Sequence, residues 1–264
     1  MPTLTQPNPS LQSLRTLPPF PVVATRLMAL VRQETADFRK VVELLKTDAA
    51  LTVEVLRLAN SASGGARFPI TSVLQALSIL GMNRIVSLAT TLCVGRLLRP
   101  VANLPVMRRC WRHNLAVALI AAKRAVVVRL EPDKAYTFGL LAGLGRMALL
   151  VSNPQLFSHA ASRAESERMP LEIIERELYG FDHRDAGRYL VREWNLPEEM
   201  NAVLFVGSPT LGVYADFAFL IRDAGMEADN LGFSVIEGAS DIPPDPMCLE
   251  LAEKVNQIEQ ELGI

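Results

Sequence analysis

Three observations predict an all-α protein. Apolar residues recur at helical spacing along almost the whole chain, strand-like alternation of apolar and polar residues is nowhere sustained, and prolines and glycines mark the breaks between periodic segments. The 264 residues, 50% of them hydrophobic, supply core for one large domain or two small ones and exclude disorder as the dominant state.

Residues 1–13 are polar and contain proline; they read as a flexible lead rather than a secretory signal, because no basic segment is followed by an apolar run. After the Pro-rich stretch Leu17 to Pro21, a first helix runs to Val31 and a second spans residues 38–45. Thr47 and Asp48 supply oxygens to cap a third helix, Ala49 to Asn60, with Leu51, Val55 and Leu58 on one face. Ser63, Gly64 and Gly65 stop it. Ser72 followed by Gln75 is a capping-box pattern for a short helix ending at Gly81, and Asn83 is placed to cap the next, which reaches Leu98.

Beyond Pro100 and Pro105, residues 106–128 repeat Trp111, Leu115, Ala118, Ala122 and Ala125 at spacings of four and three, while Val117 and Ile120 cover the opposite side. A helix apolar on both sides is central. Residues 133–151 behave likewise as one segment, in which Ala142, Gly143 and Gly145 permit close approach of a neighbour. Helices over 154–168, 170–179, 183–194 and 197–206 follow, then one over 213–224 and a polar terminal helix ending near Leu262, suited to dock on the bundle or to meet a second subunit. No repeat of fixed period argues for a solenoid.

Charge is arranged in blocks. The chain carries 27 Lys/Arg and 28 Asp/Glu, yet residues 55–130 hold 11 basic groups and no acid, and residues 131–264 hold 10 basic and 23 acidic groups. Arg108 and Arg112 lie one turn apart on the central helix, where like charges repel. Something acidic must offset them: the second half, for example Glu172, Glu175, Asp182 or Asp185, or an anionic partner. Phosphate contacts to nucleic acid are one use of such a block, but aromatic residues are 6% of the chain and no RNA- or DNA-binding signature is present. The acidic pairs Glu165/Glu167, Glu175/Glu177 and Glu198/Glu199 read as solvated helix faces.

Cys93, Cys110 and Cys248 are far apart and lack CxxC spacing, which fits core thiols in a reducing compartment. The longest uncharged apolar stretches, such as residues 85–95, are too short to cross a bilayer. A cytoplasmic protein without membrane association is expected. Gly143-x-Gly145 without a preceding strand is no dinucleotide fingerprint, and no serine-nucleophile elbow occurs.

Several separated stretches, in order, carry a family resemblance. Leu17 to Pro21, Lys46-Thr47-Asp48-Ala49-Ala50-Leu51-Thr52, Leu56-Arg57-Leu58-Ala59-Asn60-Ser61-Ala62, Pro69-Ile70-Thr71-Ser72, Gln75-Ala76 and Ile79-Leu80-Gly81 are followed by Tyr179-Gly180-Phe181-Asp182-His183, Gly187, Leu190 and Trp194-Asn195-Leu196-Pro197. Over residues 14–208 the sequence resembles the bacterial HDOD family, relatives of the HD and HD-GYP metal-dependent phosphohydrolases. The resemblance implies an HD-like helical bundle of ten or more helices in two halves, 14–100 and 105–208, with 209–264 as a helical extension, serving as a signalling output module.

In the active relatives a first histidine, a His-Asp doublet, later histidines and a final aspartate bind the metals that activate water. His113 resembles the first histidine, Ala142 and Gly143 stand where the doublet would, and His183 resembles a later histidine. Val206 and Gly207 occupy the region of the next histidine pair, and Asp216 matches the last aspartate. The expectation is therefore relict ligand positions at His113, His183 and Asp216, no cofactor or metal, and no hydrolase activity. His113 and His183 would serve mainly as packed, hydrogen-bonded core residues, while His159 lies in no motif.

The function expected is a non-enzymatic adaptor that binds a signalling protein, with the cationic block as candidate docking surface: Arg57, Arg84, Arg96, Arg99, Arg108, Arg109, Arg112, Lys123 and Arg124. The alternatives are a nucleotide- or nucleic-acid-binding regulator using the same block, and a residual hydrolase with a reduced metal site. Self-association is compatible with either.

Overall fold

The computed structural model describes residues 10–31, 38–62, 69–204, 214–236 and 246–262. Within them are fourteen α-helices and no strand. The first half comprises α1 (Val22–Val31), α2 (Phe38–Lys46), α3 (Ala49–Ala62), α4 (Val73–Leu80) and α5 (Met82–Leu98). The second comprises α6 (Pro105–Val127), α7 (Pro132–Leu141), α8 (Leu144–Ser152), α9 (Pro154–Glu167), α10 (Leu171–Tyr179), α11 (His183–Glu193), α12 (Glu199–Leu204) and α13 (Ala215–Ala228), with α14 (Pro246–Leu262) lying on α6. Helix α5 joins the halves, packing on α1 and α3 on one side and on α7 on the other.

The cap of α3 is Asp48, whose Oδ1 accepts from Leu51 N–H at 2.8 Å, whereas the Thr47 hydroxyl donates to the Leu44 carbonyl instead; Leu51, Val55 and Leu58 are buried as expected. At α4, Ser72 Oγ accepts from Gln75 N–H at 3.2 Å, but the Gln75 side chain turns to Thr71 N–H, so only half of the box forms. Gly81, at φ 81°, then ends α4 and starts α5 with the two axes 118° apart, a backbone conformation that suits glycine. Asn83 is no cap: it lies in the first turn of α5, and its amide donates to Glu131.

Two further expectations are corrected. Residues 11–13, expected in the flexible lead, are helical: Leu11–Thr16 forms a 3-10 helix whose Leu14 is buried against the second half. Phe20 stacks on Trp194 at 5.6 Å and Arg15 Nε donates to Tyr189 at 2.9 Å, so the segment before α1 packs on the second half. The segment 133–151 is not one helix but α7 and α8, broken at Ala142 and Gly143. Together they make a stretch, Pro132–Ser152, long and apolar enough to span a membrane, and its residues are largely packed inside the bundle. The turn at Ser63, Gly64 and Gly65 lies outside the described residues. So do Val206 and Gly207, and the expected domain boundary at 208.

Cys93 and Cys110 are buried, and desolvation pushes both thiols up to about 12. Iodoacetamide at mildly alkaline pH is therefore expected to leave both unmodified in the native protein and to label them only after unfolding; mass spectrometry of the peptides checks this.

Candidate functional site

Helix α6 presents His113 and Asn114 inward. His113 Nδ1 lies 3.0 Å from the carbonyl of Phe233 and 3.4 Å from Asp229 Oδ1. An imidazole N–H facing a carbonyl is the donor, so Nδ1 carries a hydrogen. Burial by itself would raise the Asp229 carboxyl, but the hydrogen bond and charge of His113, with the charge of Arg146 and a bond from Ser234, hold it below the ordinary aspartate value.

His183 opens α11 because Asp182 makes a full capping box there, accepting from Arg184 N–H at 2.8 Å and Asp185 N–H at 2.9 Å. The same turn aims both the main-chain N–H and Nδ1 of His183 at Glu175 Oε2, at 2.8 and 2.6 Å. Glu175 is 0% exposed, so the solvated-face expectation for Glu175/Glu177 fails at Glu175, as it does at the buried Glu199. Glu177 does face solvent, paired with Arg163 at 2.9 Å.

The break between α7 and α8 decides what this site can hold. A Cβ built on Gly143 would stand 2.1 Å from Asn114 Oδ1, and Asn114 is buried, its amide 3.2 Å from Met147 Sδ. Asn114 thus fills the space a side chain at 143 would need. His113, His183, Ala142 and Gly143 do converge, lining one cavity of about 390 Å³ with Arg146 and Asp229. Asp216 does not join them: it is exposed on the first turn of α13, and the carboxylate beside His113 is Asp229.

A two-metal hydrolytic centre needs bridging carboxylates and several converging donors. The donors here are two histidines with one ring nitrogen each already engaged and one carboxylate, and no group of three or more His, Cys, Asp or Glu among the described residues is poised to hold an ion. These residues do not fit such a centre. Installing the doublet as Ala142→His, Gly143→Asp is expected to bind no divalent metal by elemental analysis and to lower stability by about 1–3 kcal/mol in chemical denaturation, from overpacking against Asn114.

The cationic block is extensively paired inside the chain. Arg96 bridges Asp48 and Glu54 at 2.9 and 3.1 Å, Arg84 lies 3.6 Å from Asp133, and Arg109 meets Glu165 at 3.0 Å and the carbonyl of Val235 at 2.9 Å. Arg112 holds Glu259 at 2.6 Å, with Arg108 3.4 Å from the same oxygen; Lys123 is 4.0 Å from Glu250, and Arg124 pairs with Glu227. Arg57 donates to the main-chain carbonyl of Glu261, and Arg99 is exposed at the end of α5. The acids are therefore not those named from the sequence: Glu172, Glu175 and Asp182 pair with Arg184, His183 and Arg176 instead, and Asp185 lies 3.4 Å from Arg176.

Glu175, Arg146 and Asp229 are site residues the sequence did not disclose. Asp182 heading a helix with Asp185 three residues on was a legible signal for the turn that brings Glu175 to His183. Asp229 meets His113 across more than a hundred residues and leaves no local signal.

A family model described as HDOD domain matches residues 17–206. An uncharacterized protein of Treponema pallidum (strain Nichols) is 22% identical over 193 residues, 72% of this chain, and the chain spans 37% of that relative's length. Among solved structures, an HDOD domain protein of unknown function from Geobacter sulfurreducens superposes with a TM-score of 0.72 at 24% identity, covering 96% of this chain and 88% of that one. A candidate phosphohydrolase from Shewanella amazonensis SB2B gives 0.68 at 24% identity, with 96% and 88% covered. Both share the HD-like helical fold. With α1 through α12 and both histidines lying inside the matched span, the chain belongs to the HDOD family.

Proposed function

We propose that the chain is a non-enzymatic signal-transduction output module that acts in the cytoplasm by binding a partner protein. The observation that carries this reading is the closure at Gly143, where Asn114 occupies the space the metal-binding doublet would need. A centre without that carboxylate has no means of holding two cations about a bound water. The test is hydrolysis of a cyclic dinucleotide by the purified chain after loading with manganese. No turnover above the metal blank is expected; metal-dependent turnover that disappears in His113→Ala would overturn the proposal.

The recruiting face we assign to the basic block along α6. Its support is that α14, an acidic segment of the same chain, lies there with Glu250 and Glu259 against Lys123 and Arg112. A partner offering an acidic amphipathic helix would make the same contacts and compete with α14. Crosslinked capture is expected to rise in a chain ending at residue 245 and to vanish in Arg108→Glu, Arg109→Glu, Arg112→Glu, with helical circular dichroism as the folding control. Capture that persists in the triple variant would place the docking site elsewhere.

A further inference from the structure

We infer that the cavity beside His113 and His183 binds a small organic phosphate, held without a metal by Arg146, Arg184 and Arg222. The three guanidinium groups come from α8, α11 and α13 and line one cavity, whereas Asp229 is the one carboxylate among the described residues lining it. That carboxylate already faces His113 at 3.4 Å. The lining is thus strongly cationic.

Arg146 is the decisive group. The residue is partly buried, and its Nε is fully buried without a hydrogen-bond partner, while its charge is felt by Asp229 across the cavity. A buried N–H without a partner is costly, and an anion in the cavity would satisfy it. Arg184 and Arg222 do have neighbours, Glu172 at 3.4 Å and Asp223 at 3.3 Å, and Arg222 also lies over the Phe219 ring at 5.1 Å. Both arginines are about half exposed in these pairs, where ion pairing contributes little, so either can turn to a doubly charged ligand.

The ligand class follows from shape and chemistry together. Planar guanidinium forks match phosphate oxygens, and three of them suit a dianionic phosphate monoester. The remaining wall is apolar, formed by Val117, Leu204, Ile221 and Met226. Inorganic phosphate would leave that wall uncovered. A volume of about 390 Å³ lies within the range of small-molecule sites. Ala142 and Gly143 form part of its lining. The assignment goes beyond partner recruitment and stands independently of it.

Isothermal titration of the full chain in EDTA tests this, with phenyl phosphate and adenosine monophosphate as probes and phenol, adenosine and inorganic phosphate as comparisons. The better ester is expected to bind about tenfold or more tighter than inorganic phosphate, with no detectable binding of its neutral counterpart. Preference for the nucleotide over phenyl phosphate, or the reverse, tells a nucleotide from another organic phosphate. Arg222→Gln and Arg146→Met should each weaken the ester about tenfold, while Arg163→Gln on α9 should leave it unchanged. If Arg146→Met fails to fold, the exposed Arg222 carries the test. Esters that bind no better than neutral counterparts or than inorganic phosphate, that ignore Arg222→Gln, or that need a divalent cation would overturn the assignment.

Discussion

Gly145→Ala is expected to destabilise the protein by about 3 kcal/mol or more, although helix propensity alone predicts a gain of about 1 kcal/mol for glycine to alanine inside a helix. The packing effect dominates because of what the methyl group would meet. A Cβ at residue 145 would stand 1.7 Å from the His183 carbonyl oxygen, 2.7 Å from its carbon and 2.8 Å from Gly187 N. All three are main-chain atoms of α11, so no rotamer change relieves the contact, and α8 and α11 must separate. Gly225 on α13 is the control, since nothing lies within 4 Å of a Cβ built there. Gly225→Ala should stabilise by about 1 kcal/mol, and the opposite signs are read from the midpoints of denaturant curves. Equal shifts for the two would refute the account. Separation of α11 would also move His183 away from Glu175, so the Gly145 variant should lose the cavity before it loses its helices.

The all-α class and most of the helices were legible because helical periodicity and stop signals are local. Residues 38–45, 49–60 and 106–128 read as helices from their own spacing, and the structure ends them within two residues of those bounds. The small residues Gly143 and Gly145 were legible as a close approach, though not as a helix break. Nothing in the local pattern tells that Asn114, a neighbour in space alone, stands over residue 143. The charge blocks were legible as a conflict demanding acids. Which acids answered was not, because Glu259, Glu250 and Glu165 reach α6 through tertiary packing. The same reason hid the burial of Glu175, whose hydrophilic neighbours on α10 point the other way.

Arg112→Glu is expected to release α14 while leaving the remaining helices folded. Glu259 is nearly buried, its side chain 4% exposed, and Arg112 supplies its short contact at 2.6 Å while also donating to Asn256 at 2.7 Å. Breaking a buried pair by replacing one partner costs about 3–5 kcal/mol, and a second carboxylate adds repulsion. Against this, Leu251 and Val255 are the well-buried apolar side chains of α14, each contributing about 1.5–3 kcal/mol before the entropy of ordering the helix is subtracted. The two sides are comparable, so reversing one charge is enough to undock the helix. Limited proteolysis followed by mass spectrometry should show α14 lost and a protected core whose cooperative melting persists. Arg108→Glu is the contrast: its guanidinium is 64% exposed at 3.4 Å, and its removal should change stability by less than about 1 kcal/mol. If both variants retain α14, apolar packing holds it and the ion pair is incidental. If Arg112→Glu alone releases it, then Arg112→Ala, which frees α14 without reversing the charge, should expose the cationic face and raise partner capture, whereas the glutamate variant should lower it. The direction of that difference separates a face that α14 merely rests on from one that it occupies in a partner's place.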